Sequence, residues 1–204
     1  MDSKFKIILG AQELFFKFGV KSITMDDIAN HLGMSKKTIY QSFEKKEDII
    51  SEMMLLRLKE HQQILEGISK RSENIVEEIF EVMKHMSELF SNINPKLFYE
   101  MKKNFPDVWR LFSDFRNRFV TGMVEKAILK GKKQGFVRVG IDEKIISILR
   151  IEQLEMGFDP EIFPPSKFNL LHVQLSLTEH FLYGICTLKG HKLINKYKEI
   201  SEEE

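Results

Sequence analysis

Apolar residues recur at helical spacing along most of the chain. Ile8, Ala11, Leu14, Phe15 and Phe18 predict a first helix over about 3–18, ended by Gly19. Ile28, Ala29 and Leu32, and then Ile39 and Phe43, predict two short helices joined by a tight turn. Thr24 can cap the first of these, with Asp27 answering it as in a capping box. Gly33 can take the positive φ that ends it, and Ser35 can cap the second. Ile49, Ile50, Met53, Leu56 and Ile64 belong to a long helix over about 46–67, and Ile75, Ile79, Val82, Met83, Met86 and Phe90 form a stripe over 72–90. Pro95 is expected to begin a helix carrying Leu97, Phe98, Met101 and Phe105. Pro106 starts a long one in which Val108, Phe112, Phe115, Phe119, Met123 and Ala127 share one register. Phe136 to Gly140 is a connector, at most a stub of strand. Asp142 caps a helix over 143–156 whose face is Ile145, Ile148, Leu149, Glu152 and Met156. After a proline-rich loop over 157–166, a final long helix covers 169–188. Gly190 interrupts before a short helix to about 198, and 201–204 is expected to be a disordered tail. The fold class is therefore all-α: a three-helix domain over 1–47 with a helix-turn-helix, then a larger helical domain over 48–204.

The second helix of the pair carries the chemistry. Ile39 and Phe43, one helical turn apart, pin it to a core. At about 100° per residue, Lys37 and Gln41 then fall on the opposite side, flanked by Thr38 and Tyr40. Ser35 and Lys36 stand at its positive end. Such a face suits a major groove: cations and helix-end amides hold phosphates, while amide and hydroxyl groups read base edges. With the capping Thr24, these residues make up the candidate DNA-contact set read from the hairpin. The competing reading is an ordinary helical hairpin with a solvated basic face.

Composition narrows the choice. The 204 residues can bury a real core. A formal net charge of +1 argues against an indiscriminate nucleic-acid coat and leaves room for a specific reader with a local patch. No run of eighteen apolar residues suggests a membrane span, and the N-terminus lacks a signal-peptide pattern. Cys186 is the only cysteine, which fits a reducing cytoplasm and excludes an intrachain disulfide.

The first quarter of the chain resembles the TetR family of bacterial transcriptional regulators. The resemblance lies in Ala11, Leu14-Phe15, Gly19, Thr24, Asp27-Ile28-Ala29, Gly33, Ser35-Lys36, Thr38-Ile39-Tyr40, Phe43, Lys46-Glu47 and Ile49. It implies a phosphate contact from Lys46 and a ligand held among the helices that follow the shared helix over 46–67. Gln41 and Ser42 depart from the family, many of whose members carry aromatic or histidine residues there, so the operator cannot be borrowed from a relative.

Phe and Met are abundant between Met83 and Met156, and such residues suit a pocket for organic molecules as well as plain core. The candidates for an effector of unknown identity are Met86, Phe90, Phe98, Met101, Trp109, Phe112, Phe119, Glu152 and Met156. Glu152, on an apolar stripe, needs a partner, either Arg150, Arg116 or a cationic ligand. The lysines at 130, 132 and 133 read as cations at a helix C-terminus more than as a phosphate patch. Catalysis finds little support: the histidines are scattered, no metal-ligand set or phosphate-binding glycine motif appears, and no cofactor is implied. The expectation is a homodimeric repressor, paired through the last two long helices, that binds a double-stranded operator and leaves it when an effector binds. A helical ligand- or partner-binding protein without DNA binding is the alternative.

Overall fold

The computed structural model describes residues 3–91, 93–94 and 96–200. The expectations for Pro95 and for the tail at 201–204 lie outside the described residues. The helices are α1 (Ser3–Phe18), α2 (Met25–Leu32), α3 (Lys36–Ser42), α4 (Lys46–Arg71), α5 (Ile75–Phe90), α6 (Lys96–Asn104), α7 (Pro106–Phe115), α8 (Thr121–Lys133), α9 (Glu143–Met156), α10 (Leu170–Ile185) and α11 (Leu188–Lys198). The chain forms two compact units, Met1–His61 with Phe90–Phe115, and Gln62–Leu89 with Arg116–Glu204.

The core of the first unit is built from Ile7, Ala11, Phe15, Ile28, Ala29, Ile39, Phe43, Ile49, Ile50 and Met53. Leu32 folds over Gly10 so closely that a β-carbon there would lie 2.5 Å from its Cδ2. This unit takes in more chain than 1–47, because α6 is tied to the end of α1. The Asn94 amide donates to the Phe16 carbonyl at 2.8 Å. Glu100 accepts from the Lys21 amide at 2.9 Å and lies against Gly19, whose φ of +84 suits glycine.

The second unit packs around Ile75, Val76, Ala127, Ile128, Val137, Phe181, Leu182, Ile185, Cys186 and Ile194. Val137 and Cys186 form an isolated antiparallel bridge, which is all that becomes of the expected strand stub. The Cys186 thiol is core, and burial pushes its pKa up to about 11. Gly190 lies in the first turn of α11 and does not interrupt it; Thr187 caps that turn by accepting from the Gly190 amide at 3.2 Å. A β-carbon at Gly190 would meet the Phe136 carbonyl at 2.6 Å. The lysine cluster is internal tethering: Lys130 donates to the Ser72 carbonyl and Lys132 pairs with Glu143, each at 2.6 Å.

The single register expected from Pro106 to Ala127 does not hold. A π-helical stretch, Arg116–Val120, separates α7 from α8. Its wider turn rotates every later side chain relative to the earlier ones. The same segment carries Arg116, buried and ion-paired with Glu155 of α9.

α9 is turned the other way round from the expectation. Ser147 (1% exposed), Arg150 (7%) and Ile151 (2%) face inward. Ile145 (63%), Ile148 (57%) and Leu149 (49%) face solvent, and Glu152 is exposed with them.

Candidate nucleic-acid interface and ligand-binding residues

The helix-turn-helix is assembled from local bonds. Thr24 Oγ1 accepts from the Asp27 amide at 3.1 Å, and Asp27 Oδ2 accepts from the Thr24 amide at 2.8 Å and its hydroxyl at 2.6 Å. The Thr24 hydroxyl and then its amide hold the Asp27 carboxyl below the usual carboxylate range. Gly33 closes α2 in the left-handed conformation, φ 63 and ψ 28, and the Met34 amide returns to the Ala29 carbonyl at 2.9 Å. Ser35 Oγ then accepts from the Thr38 amide at 3.1 Å and opens α3.

Ile39 and Phe43 of α3 are buried, while Lys36, Lys37, Tyr40 and Gln41 are exposed. The anchored side and the polar side therefore lie opposite each other, as 3.6-residue periodicity requires. Thr38 is half-buried, and its hydroxyl meets that of Ser35 at 2.9 Å. Lys36 pairs across the turn with Asp26 of α2 at 2.5 Å, a hydrogen bond that raises its pKa. Asp26 was not singled out in the sequence, because a carboxylate in a first helical turn already has a role there.

Lys46 is a correction. Its ammonium donates to the Val20 and Ile23 carbonyls, each at 2.7 Å, and stands 5.6 Å from the centre of the Phe105 ring. Burial lowers its pKa. It ties the start of α4 to the α1–α2 connection, so we take it out of the phosphate-facing set.

The ligand candidates are divided between the two units. Phe90, Phe98, Phe112 and Trp109 form a chain of ring contacts in the first unit, with centroids 5.9, 6.1 and 5.0 Å apart in succession, and Met101 is buried in the same unit. Met86, Phe119 and Met156 are half-buried in the second unit. Glu152 is a second correction: it is exposed, and Arg116 pairs with Glu155 instead. The buried charge on α9 is Arg150. Register could have found it, since Ser147, Arg150 and Ile151 share a helical face, but apolar content pointed to the opposite side. Among the described residues no group of three or more His, Cys, Asp or Glu side chains could hold a metal ion, and no helix is long and apolar enough to cross a membrane.

These features define a helix-turn-helix domain in a chain that continues into further helices. The sequence model of the bacterial regulatory proteins of the tetR family matches residues 7–53. The HTH-type transcriptional regulator YvaF of Bacillus subtilis (strain 168) is 25% identical over 165 residues, spanning 80% of this chain and 86% of the relative. Among solved structures, a transcriptional regulator from Saccharomonospora viridis in complex with choline superposes with a TM-score of 0.72 at 18% identity, covering 90% of this chain and 97% of that one. The SmeT–triclosan complex gives 0.68 at 16% identity, covering 91% and 92%. Residues 7–53 are thus a tetR-family helix-turn-helix segment by sequence, and the relative that the chain matches over most of its length is an HTH-type transcriptional regulator.

Proposed function

We propose that this regulator is a homodimeric repressor that a small organic effector releases from its operator. The observation that carries the DNA-reading part is α3, whose Lys37, Tyr40 and Gln41 stand exposed over a buried Ile39–Phe43 anchor. Thr24, Ser35, Lys36 and Thr38 complete the DNA-contacting set, the first and third beside the groove and the others shaping the start of α3. One seven-residue helix reads few base pairs, so a second copy supplying a symmetric half-site is the natural complement. The exposed apolar face of α9, Ile145, Ile148 and Leu149, is the surface for that second copy. α10 joins it through exposed Ser176, His180 and Gly184, side chains small or short enough for close helix approach.

Effector control is supported by the two ligand-bound neighbours of the same fold, one holding choline and the other triclosan. The effector side of the division runs over 48–204, and α4 is continuous across it, so a tilt imposed at its far end moves its near end. Candidate contacts are Met86, Phe90, Phe98, Met101, Trp109, Phe112, Phe119 and Met156; Glu152 belongs with the dimer face. The effector must bind the DNA-free form more tightly, or the equilibrium does not shift. The site of action is the cytoplasm, where the operator is. Sequencing genomic fragments captured by the pure protein, then displacing them with a metabolite panel, tests the reading. A protein that sediments as a monomer both alone and on DNA, or that captures no preferred fragment, overturns it.

A further inference from the structure

Arg150 of α9 is a buried charge of the second unit that has no carboxylate beside it. Its side chain is buried between α9 and α10, with a guanidinium nitrogen, Nη2, donating to Thr178 Oγ1 and its carbon 5.4 Å from the centre of the Phe181 ring. Its Nη1 is sealed from solvent and has no acceptor. Among the described residues no carboxylate pairs with it. Gln153, on the same helix, and Gln174, one turn before Thr178, each carry a side-chain oxygen that is sealed and lacks a donor. Gln174 belongs to the same seam, since its Nε2 donates to the Leu154 carbonyl of α9 at 3.0 Å.

The same unit shows what a structural buried arginine looks like. Arg116 is as deeply buried as Arg150, and Glu155 pairs with it. Burying a guanidinium with no counter-charge is expensive, and folds normally pair such a group. Ile151, Val173, Phe181 and Leu182 are buried on the same two helices, and the Phe181 ring lies against the guanidinium. A fork of N–H donors in an apolar wall matches a single carboxylate on an apolar body.

We infer that the effector is an organic monocarboxylate whose acid group is held by the Arg150 guanidinium between α9 and α10. This rests on the reading above that an effector releases the regulator, narrows the effector to a chemical class, and sets its acid group at the α9–α10 seam apart from the Phe and Met candidates. Because Nη1 is sealed, the acid reaches it only when α9 and α10 part. Binding thus selects an opened form of the seam, which is the differential affinity that release requires. Thr178 is a positioning residue here: its hydroxyl holds one side of the fork and itself donates to the Gln174 carbonyl at 2.6 Å.

The test uses the full chain with benzoate, phenylacetate and hexanoate, each beside its neutral amide at matched ionic strength, and inorganic phosphate as a separate arm. Two quantities are read, the unfolding temperature and the affinity for a captured operator duplex. The acids at millimolar concentration are expected to raise the unfolding temperature and weaken operator binding about tenfold or more, while the amides and phosphate do neither. Arg150→Met is expected to bind operator normally, to unfold no earlier than the parent, and to lose both responses. Arg150→Lys, which keeps the charge without the fork, should need about tenfold more acid and serves if the methionine variant does not fold. The inference is overturned if amides or phosphate match the acids, if Arg150→Met still responds, or if no acid in the set moves either reading. Release by a neutral or cationic compound alone would leave effector control standing and remove the acid. Loss of DNA binding altogether would remove the regulator reading, and the unfolding temperatures would still judge the acid site.

Discussion

α3 and α9 are both helices with one side buried and one side in solvent, yet they are built in opposite senses. α3 hides Ile39 and shows Lys37, Tyr40 and Gln41. α9 hides Ser147 and Arg150 beside Ile151 and shows Ile145, Ile148 and Leu149. The first exposes groups that water already solvates well and that a phosphate or base edge can replace water on. The second exposes apolar surface that water solvates poorly, while keeping a cation inside. A duplex complements the first kind of face. In the dimer proposed above, a second apolar face from another copy of the chain complements the second. The contrast teaches that exposure alone does not mark a contact surface; the chemistry left exposed names the partner.

Removing the polar face should have the largest effect. Lys37→Ala with Tyr40→Ala is expected to lower operator affinity about 100-fold or more, in line with roughly 1–3 kcal/mol per specific contact. Fluorescence anisotropy reads the affinity, and an unchanged unfolding temperature shows that Ile39 and Phe43 still anchor α3. Reversing the apolar face comes next. Ile148→Glu should convert the dimer to monomer in sedimentation velocity and weaken operator binding about tenfold at low protein concentration. The fold should survive, because Ile148 is exposed within the protomer. A dimer that persists in both Ile148→Glu and Leu149→Glu would move the two-fold axis elsewhere and end the comparison.

Smaller effects sharpen the α3 side. Thr24→Ala removes the cap that starts the helix-turn-helix and should cost about 1 kcal/mol of stability, read by urea unfolding. The acid limb of stability carries the signature of the same box. Thr24 holds the Asp27 pKa below its ordinary value, so the native form binds fewer protons there than the unfolded chain. That contribution is fully present above the unfolded carboxylate pKa and is lost as pH falls through the lower, folded value. Asp27→Asn should therefore be less stable than the parent at neutral pH, with the two curves converging in acid. Curves that stay parallel down to the acid transition would show that the box contributes nothing there.

Much of the first domain was legible because its signals are local. A cap three residues from its partner, a glycine at a left-handed corner and an apolar pair one turn apart each act within one or two turns. Thr24, Gly33, Ser35, Ile39 and Phe43 occupy the places their types predict. Lys46 was misread for the opposite reason. Its carbonyl acceptors are more than twenty residues away in the chain, and only the packed domain brings Val20 and Ile23 to it. Glu152 is exposed, not buried, and an apolar stripe reads the same in sequence whichever way it faces.

By itself, then, the order of residues determined that the chain is helical, where most helices start and stop, and that α3 turns lysine, tyrosine and glutamine away from its anchor. Only tertiary structure decided which face of α9 lies inward, that Arg116 meets Glu155 across a π turn, and that Arg150 is enclosed without a counter-charge. The physical reason is range. Periodicity and capping are properties of neighbours along the backbone, whereas the side of a helix that loses its water is chosen by whatever distant segments pack against it.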